Sequence, residues 1–162
     1  MVYLALINYI LTINMLLEIE RKFLVSGEFK DAAFKSKHII QGYLCDQENR
    51  QVRIRIIDNK SFITIKGGLE LDGISRFEWE KEIPNDEALQ LIKLCEGRII
   101  EKIRYYINHQ GKVFEVDEFK GKNLGLTLCE VELDSSDESI DLPKWIGKEV
   151  TGDKRYYNIS LI

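Results

Sequence analysis

Charged residues of this chain recur in pairs two positions apart: Glu18 and Glu20, Arg53 and Arg55, Glu78 and Glu80, Lys102 and Arg104, Glu115 and Asp117, Glu130 and Glu132. Lys22 continues the first pair, and Lys66 stands alone in "TIKG". A spacing of two puts both members on one face of an extended strand. Like charges so placed repel unless an opposite charge or an ion faces them. Gathered in one cavity, the arginines and lysines suit a polyanion with several phosphoryl groups, arginine as a planar fork and lysine as a point charge. The carboxylates have no histidine or thiolate companions at ligand spacing, so they are hard oxygen donors, suited to Mg²⁺ or Mn²⁺ rather than zinc. Such a set can support attack of water on a terminal phosphoryl group, with the cations stabilising the charge that develops.

The elements that must position these pairs are mostly strands, because the hydropathy alternates with period two. The pattern predicts strands over 17–25, 38–45, 51–58, 61–67, 74–83, 98–108, 112–121 and 124–133. It predicts short helices near 28–36, over 85–96 with Asn85 as cap and Gly97 as stop, and over 143–148 behind Pro143. The acidic run "DSSDESID" (134–141) is expected to be a solvated loop. The expected fold is mainly β (α+β): eight antiparallel strands closed into a barrel, with a few peripheral helices.

Two arrangements satisfy the alternation. The ordinary one buries the apolar faces (Ile54, Phe77, Trp79, Phe114, Val131) and turns the charges to solvent. The inverted one turns the charges into a water-filled tunnel and packs the apolar faces outward beneath the helices. Solvated strand faces normally mix in Ser, Thr, Asn and Gln, whereas these faces carry like charges two apart.

The 162 residues suit one domain with its own core. A net charge of −4 argues against a nucleic-acid partner. Cys45, Cys95 and Cys129 are odd in number and form no CxxC, which fits reduced thiols in the cytoplasm. The leader "MVYLALINYILTIN" has no basic n-region and is too short and too polar for a membrane span. Met15 is taken as the natural start, leaving 1–14 as an upstream extension outside a domain of residues 15–162. His38 and His109 are expected at the surface, and Trp145, Tyr156 and Tyr157 as packing for the terminal segment.

The motifs agree in order with a known pattern. "EIERKFLV" resembles the ExExK signature of the CYTH superfamily, the triphosphate tunnel metalloenzymes. "QGYL", "VRIR", "TIKG", "RFEWEKEIP", "KIRYYI", "FEVDEFKG", "GLTLCEVEL" and "PKWIGKEVTGDKRYYN" follow in register from Met15 to the carboxyl end. The chain is most similar to the short, single-domain bacterial members. The resemblance implies an eight-stranded tunnel with a charged lumen. It implies Glu18, Glu20, Glu130 and Glu132 as metal ligands, with Glu78, Glu80 and Asp117 as further metal or water-orienting groups. It implies Lys22, Arg53, Arg55, Lys66, Lys102 and Arg104 as triphosphate contacts. Tyr43 matches a tyrosine that pairs with the lysine of ExExK, here Lys22, and serves as a proton acceptor; without a cation beside it a tyrosine titrates too high for that.

The activity implied is metal-dependent hydrolysis of a small-molecule triphosphate, foremost inorganic tripolyphosphate to pyrophosphate and phosphate, by a cytoplasmic monomer or homodimer. Adenylate cyclase or thiamine triphosphatase chemistry on the same fold is the alternative. From another class, a non-catalytic polyphosphate- or nucleotide-binding module is the other.

Overall fold

The computed structural model describes residues 17–47, 49–69 and 75–162. The leader 1–14 and the proposed start at Met15 lie outside them. The chain runs β1 (Leu17–Val25), β2 (Lys35–Gln47), β3 (Arg50–Ile57), β4 (Lys60–Leu69), β5 (Ser75–Ile83), α1 (Asn85–Lys93), β6 (Ile99–His109), β7 (Lys112–Phe119), β8 (Thr127–Glu132) and β9 (Ile146–Glu149). Neighbours pair antiparallel in the order β5-β4-β3-β2-β6-β7-β8-β1-β9, and β1 also pairs with β5, which closes eight strands into a barrel. Closure is shared along β1: Leu17, Glu18 and Ile19 register against β5, while Phe23 and Val25 take β9. The β6–β7 hairpin turns on Gln110 (φ 47°) and Gly111 (φ 81°), a tight turn in which both central residues are left-handed.

The arrangement is the inverted one. Lys22, Arg53, Lys66, Lys102, Arg104 and Asp117 are all buried inside the barrel wall. The apolar residues between them face outward. Phe23, Phe114, Val116 and Val131 form one core with Phe29, and Trp145 packs edge-on against Phe114 at a centroid distance of 6.0 Å.

Covering elements differ from the expected helices. Segment 28–36 holds only a single 3-10 turn, Lys30–Ala32, and the chain is already extended at Lys35. Segment 143–148 is a turn followed by β9. The cause is tertiary. The part of β1 that β5 leaves unpaired offers backbone groups, and residues 146–149 satisfy them by adding a strand, which outweighs a weak local helix preference. Residues 85–93 do form a helix, shorter than the expected 85–96. Asn85 is its first residue rather than its cap: its side chain accepts from Ser61 Oγ (2.7 Å) and donates to the Asn59 carbonyl (2.8 Å), tying α1 to the β3–β4 turn. The segment after α1 packs closely on β2 at Gly42, where an added Cβ would lie 2.6 Å from Cys95 Sγ.

Charge gives way to apolar residues at one end of the barrel. Leu24, Ile100, Phe119 and Leu128 cluster there with Tyr43 and Val150, and Tyr156, Leu161 and Ile162 of the carboxyl-terminal turns pack onto them. No helix among the described residues is long and apolar enough to cross a membrane.

Candidate active site

The strand parity that turns the charged pairs inward builds the lumen row by row. On β1, Glu18 accepts from Lys66 Nζ at 2.9 and 2.7 Å and from Arg76 Nε at 2.9 Å. Burial works to raise its pKa, but the Lys66 and Arg76 charges outweigh burial and hold the carboxyl well below the ordinary range. Glu20, two residues on, has only looser cation contacts, 3.7 Å to Arg76 and 3.8 Å to Lys22. Burial, followed by the nearby Glu130 charge, pushes its pKa up. Glu20 also registers directly opposite Glu132 of β8. Lys22 pairs with Glu130 at 2.7 Å and lies 5.7 Å from the centre of the Tyr157 ring. Burial alone would lower its pKa, but Glu130 and Glu20 keep it above the usual lysine value.

On β3 to β5, Arg55 donates to both oxygens of Glu80 (3.1 and 2.8 Å), and Thr64 donates to Glu80 at 2.6 Å. Arg53 donates to Thr64 at 3.3 Å, and Lys66 also pairs with Glu78. The Nε atoms of Arg53 and Arg55 are buried without a hydrogen-bond partner. Unpaired buried donors on cations are costly, and an anion in the lumen would satisfy them.

On β6 to β8, Arg104 donates to Asp117 through Nε (2.7 Å) and NH2 (2.6 Å), to Glu130 through NH2 (2.8 Å), and to Glu115 through NH1. Lys102 donates to Asp117 at 2.6 Å. Burial pulls the Lys102 ammonium down to about 8, against the raising effect of Asp117.

These rows enclose a cavity of about 470 Å³ lined by Glu18, Glu20, Arg53, Arg55, Lys66, Arg76, Glu78, Arg104, Glu115, Glu130 and Glu132, with Lys112 and Asp134 at its rim. That volume accommodates a small ligand. Toward the apolar end the space narrows to about 40 Å³ between Lys22, Tyr43, Gln51 and the residues Tyr157, Asn158 and Ile159. Tyr43 is buried there; its hydroxyl accepts from Gln41 Nε2 at 3.1 Å, and burial raises its pKa against the pull of Arg53 and Lys22.

The structure thus gathers most of the expected residues around one cavity. Lys102, Asp117 and Glu80 do not line it; they lie in the wall behind Arg104 and Arg55. Arg76 lines every part of the cavity and was missed, although parity carried back two positions from Glu78 points to it. Tyr157, expected to pack the tail, instead faces the lumen over Lys22, and Tyr156 does the packing. Only the path of the carboxyl terminus distinguishes the two tyrosines. His38 is exposed and meets Glu101 at 2.8 Å, while His109 is half-buried against Phe114.

Among the described residues, no three Asp, Glu, His or Cys side chains stand close enough in this arrangement to share one ion. The donor chemistry nevertheless fits a divalent cation. Glu20 and Glu132 face each other across β1 and β8 with Glu130 beside them, and Glu20 has only the looser contacts to Arg76 and Lys22, where Glu18 is held closely by Lys66 and Arg76.

The family model for the CYTH domain matches residues 16–160. An inorganic triphosphatase of Acetivibrio thermocellus is 44% identical over 146 residues, 90% of this chain and 92% of that protein. An inorganic triphosphatase of Nitrosomonas europaea is 39% identical over 148 residues, 89% and 95% of the two chains. A solved structure of an inorganic triphosphatase superposes with a TM-score of 0.65 at 37% identity, covering 89% of this chain and 93% of that one.

Proposed function

This chain belongs to the CYTH domain family, and from that premise we propose that it hydrolyses inorganic tripolyphosphate to pyrophosphate and phosphate in the cytoplasm, with Mg²⁺ or Mn²⁺ as cofactor. The observation that carries the reading is a closed lumen in which Arg53 and Arg55 keep buried, unpaired Nε–H donors while Glu20, opposite Glu132, has only loose cation contacts. Two relatives that match nearly all of the chain bear the name inorganic triphosphatase. The three free thiols suit a reducing compartment.

Arg53, Arg55, Lys66, Arg76, Arg104 and Lys22 are the triphosphate ligands in this reading. They surround the cavity from five strands, so a chain of phosphoryl groups meets fixed positive charge along its length. Preorganised charge in a site shielded from bulk water stabilises the transferring group without reorganisation. Glu20, Glu130 and Glu132 would hold the divalent cation, which polarises phosphoryl oxygens and activates water when bound. Glu18 and Glu78 hold the Lys66 ammonium in place from two sides. Glu80 orients Arg55 from behind. Tyr43, kept neutral by burial, serves as a hydrogen-bond donor at the narrow end.

The test is a panel of tripolyphosphate, ATP and thiamine triphosphate, each with Mg²⁺ and with Mn²⁺, followed by phosphate release and by cyclic AMP formation. Metal-dependent phosphate release with tripolyphosphate as the best substrate is expected. Cyclic AMP from ATP, or tight binding with no product from any of the three, would overturn the assignment.

A further inference from the structure

Strand β5 is paired along one edge only for most of its length. β4 takes its residues 78–83, whereas on the other edge β1 takes only Ser75, Arg76 and Phe77. Among the described residues, no strand pairs with that second edge over 78–83. The outward face beside it is apolar and uncovered: Phe77 is 39% exposed, Trp79 38%, and Ile65, which registers opposite Trp79 on β4, 36%. An open edge flanked by exposed apolar side chains is a template for a further strand. The chain enters the barrel at this same place. Leu17, the first residue of β1, registers opposite Phe77, the last residue of β5 that β1 reaches.

We propose that residues 11–16 continue β1 upstream and fill the open edge of β5, which makes part of the amino-terminal leader a stretch of the barrel wall. Carrying the Leu17–Phe77 register onward places Met15 opposite Trp79, Ile13 opposite Lys81 and Leu11 opposite Ile83. These positions share the outward face of Phe77, and Met15 brings a thioether to the exposed indole. The alternate positions set Asn14 opposite Glu80 and Thr12 opposite Glu82, with Leu16 the apolar exception opposite Glu78. The leader's alternation thus matches that of β5, and a slip of one residue would reverse it. The pairing ends where β5 does, at Ile83, before Pro84 leads into α1. A segment tethered one residue from the edge avoids the entropy cost of association, which favours it over a second copy of the chain. On this proposal the domain begins ahead of Met15.

Hydrogen exchange on the full chain tests the pairing. Peptides covering 78–83 are compared among the wild type, Thr12→Pro and Ile13→Pro. One of two adjacent strand residues points its N–H at β5, so one of the two prolines removes a bond from the pair. The wild type should exchange there about tenfold or more slowly than that variant. Equal exchange in all three would overturn the proposal, and so would protection that survives in a chain starting at Met15. Disulfide trapping tests the register. Ile13→Cys with Lys81→Cys should close within one molecule, because opposed Cβ atoms stand about 4.5–5.5 Å apart, whereas Asn8→Cys with Lys81→Cys should not. Equal trapping by both pairs would overturn the register. A disulfide joining two molecules would give the edge to a second copy and overturn the proposal. If a proline variant does not fold, the cysteine pairs decide. Neither readout uses turnover, so the result stands whatever the chain hydrolyses.

Discussion

Glu18 and Glu20 share one strand face and one motif, yet their surroundings give them different work. Glu18 is saturated by Lys66 and Arg76, while Glu20 is left with contacts beyond 3.5 Å and a pKa raised by burial. Two substitutions should therefore act on different parameters. Glu20→Gln should raise the Mg²⁺ concentration for half-maximal activity by about tenfold or more, since even an outer partner of a bound metal is worth that much. Glu18→Gln should instead raise KM for tripolyphosphate, because Lys66 and Arg76 lose their common acceptor. Equal metal titrations for the two variants would remove the distinction. Arg76→Met should likewise raise KM, and combined with Glu18→Gln it should cost less than the product of the single effects, because the two side chains act as one unit.

At the scale of elements, the segment following α1 depends on a missing side chain. A Cβ on residue 42 would come within 2.6 Å of Cys95 Sγ and 2.9 Å of Cys95 Cβ. Gly42→Ala should cost about 1–3 kcal/mol through overpacking, which for a chain of this size lowers the melting temperature by about 2–4 °C per kcal/mol. The lumen face of β2 is on the other side of the sheet, so the metal dependence of the folded variant should stay that of the wild type. A variant that melts unchanged would show that α1 and its following segment sit further from β2. β9 teaches a related lesson. Residues 143–148 were expected to be helical, yet 146–149 are a strand because β1 has backbone groups to satisfy beyond the reach of β5.

For the whole molecule, the ledger of buried charge sets how stability should respond to pH and metal. Burial raises Glu20, Glu78 and Glu115, so the folded protein binds their protons more tightly than the unfolded chain does. Their contribution is present at low pH and is lost as pH rises through those raised values. Glu18, Asp117 and Glu130 are lowered by the cations around them and work the other way, failing as pH falls below the ordinary carboxylate range. Of the first set, Glu20 is the one proposed to hold the divalent cation, which relieves it once it is ionised. The increase in melting temperature on adding Mg²⁺ should therefore grow as pH rises above the ordinary carboxylate range. An increase that is flat or shrinks as pH rises would mean that metal does not bind this carboxylate.

Much of this protein was legible in the order of its residues. The pairs at Arg53/Arg55, Lys102/Arg104 and Glu130/Glu132 specified strands, because only a period of two puts such pairs on one face, and the motif order specified the family. The alternation left inside and outside undecided, because a flipped barrel has the same pattern. Closure decided it: once β1 pairs with both β5 and β8, the charged faces converge on one lumen and neutralise one another there. Tertiary contact also sorted residues of identical chemistry. It set Glu18 against Glu20, placed Lys102 in the wall and Arg104 at the cavity, and turned Tyr157 inward while Tyr156 packs. Those differences depend on which side chain stands opposite across a strand pair, and residue spacing along one strand does not contain that information.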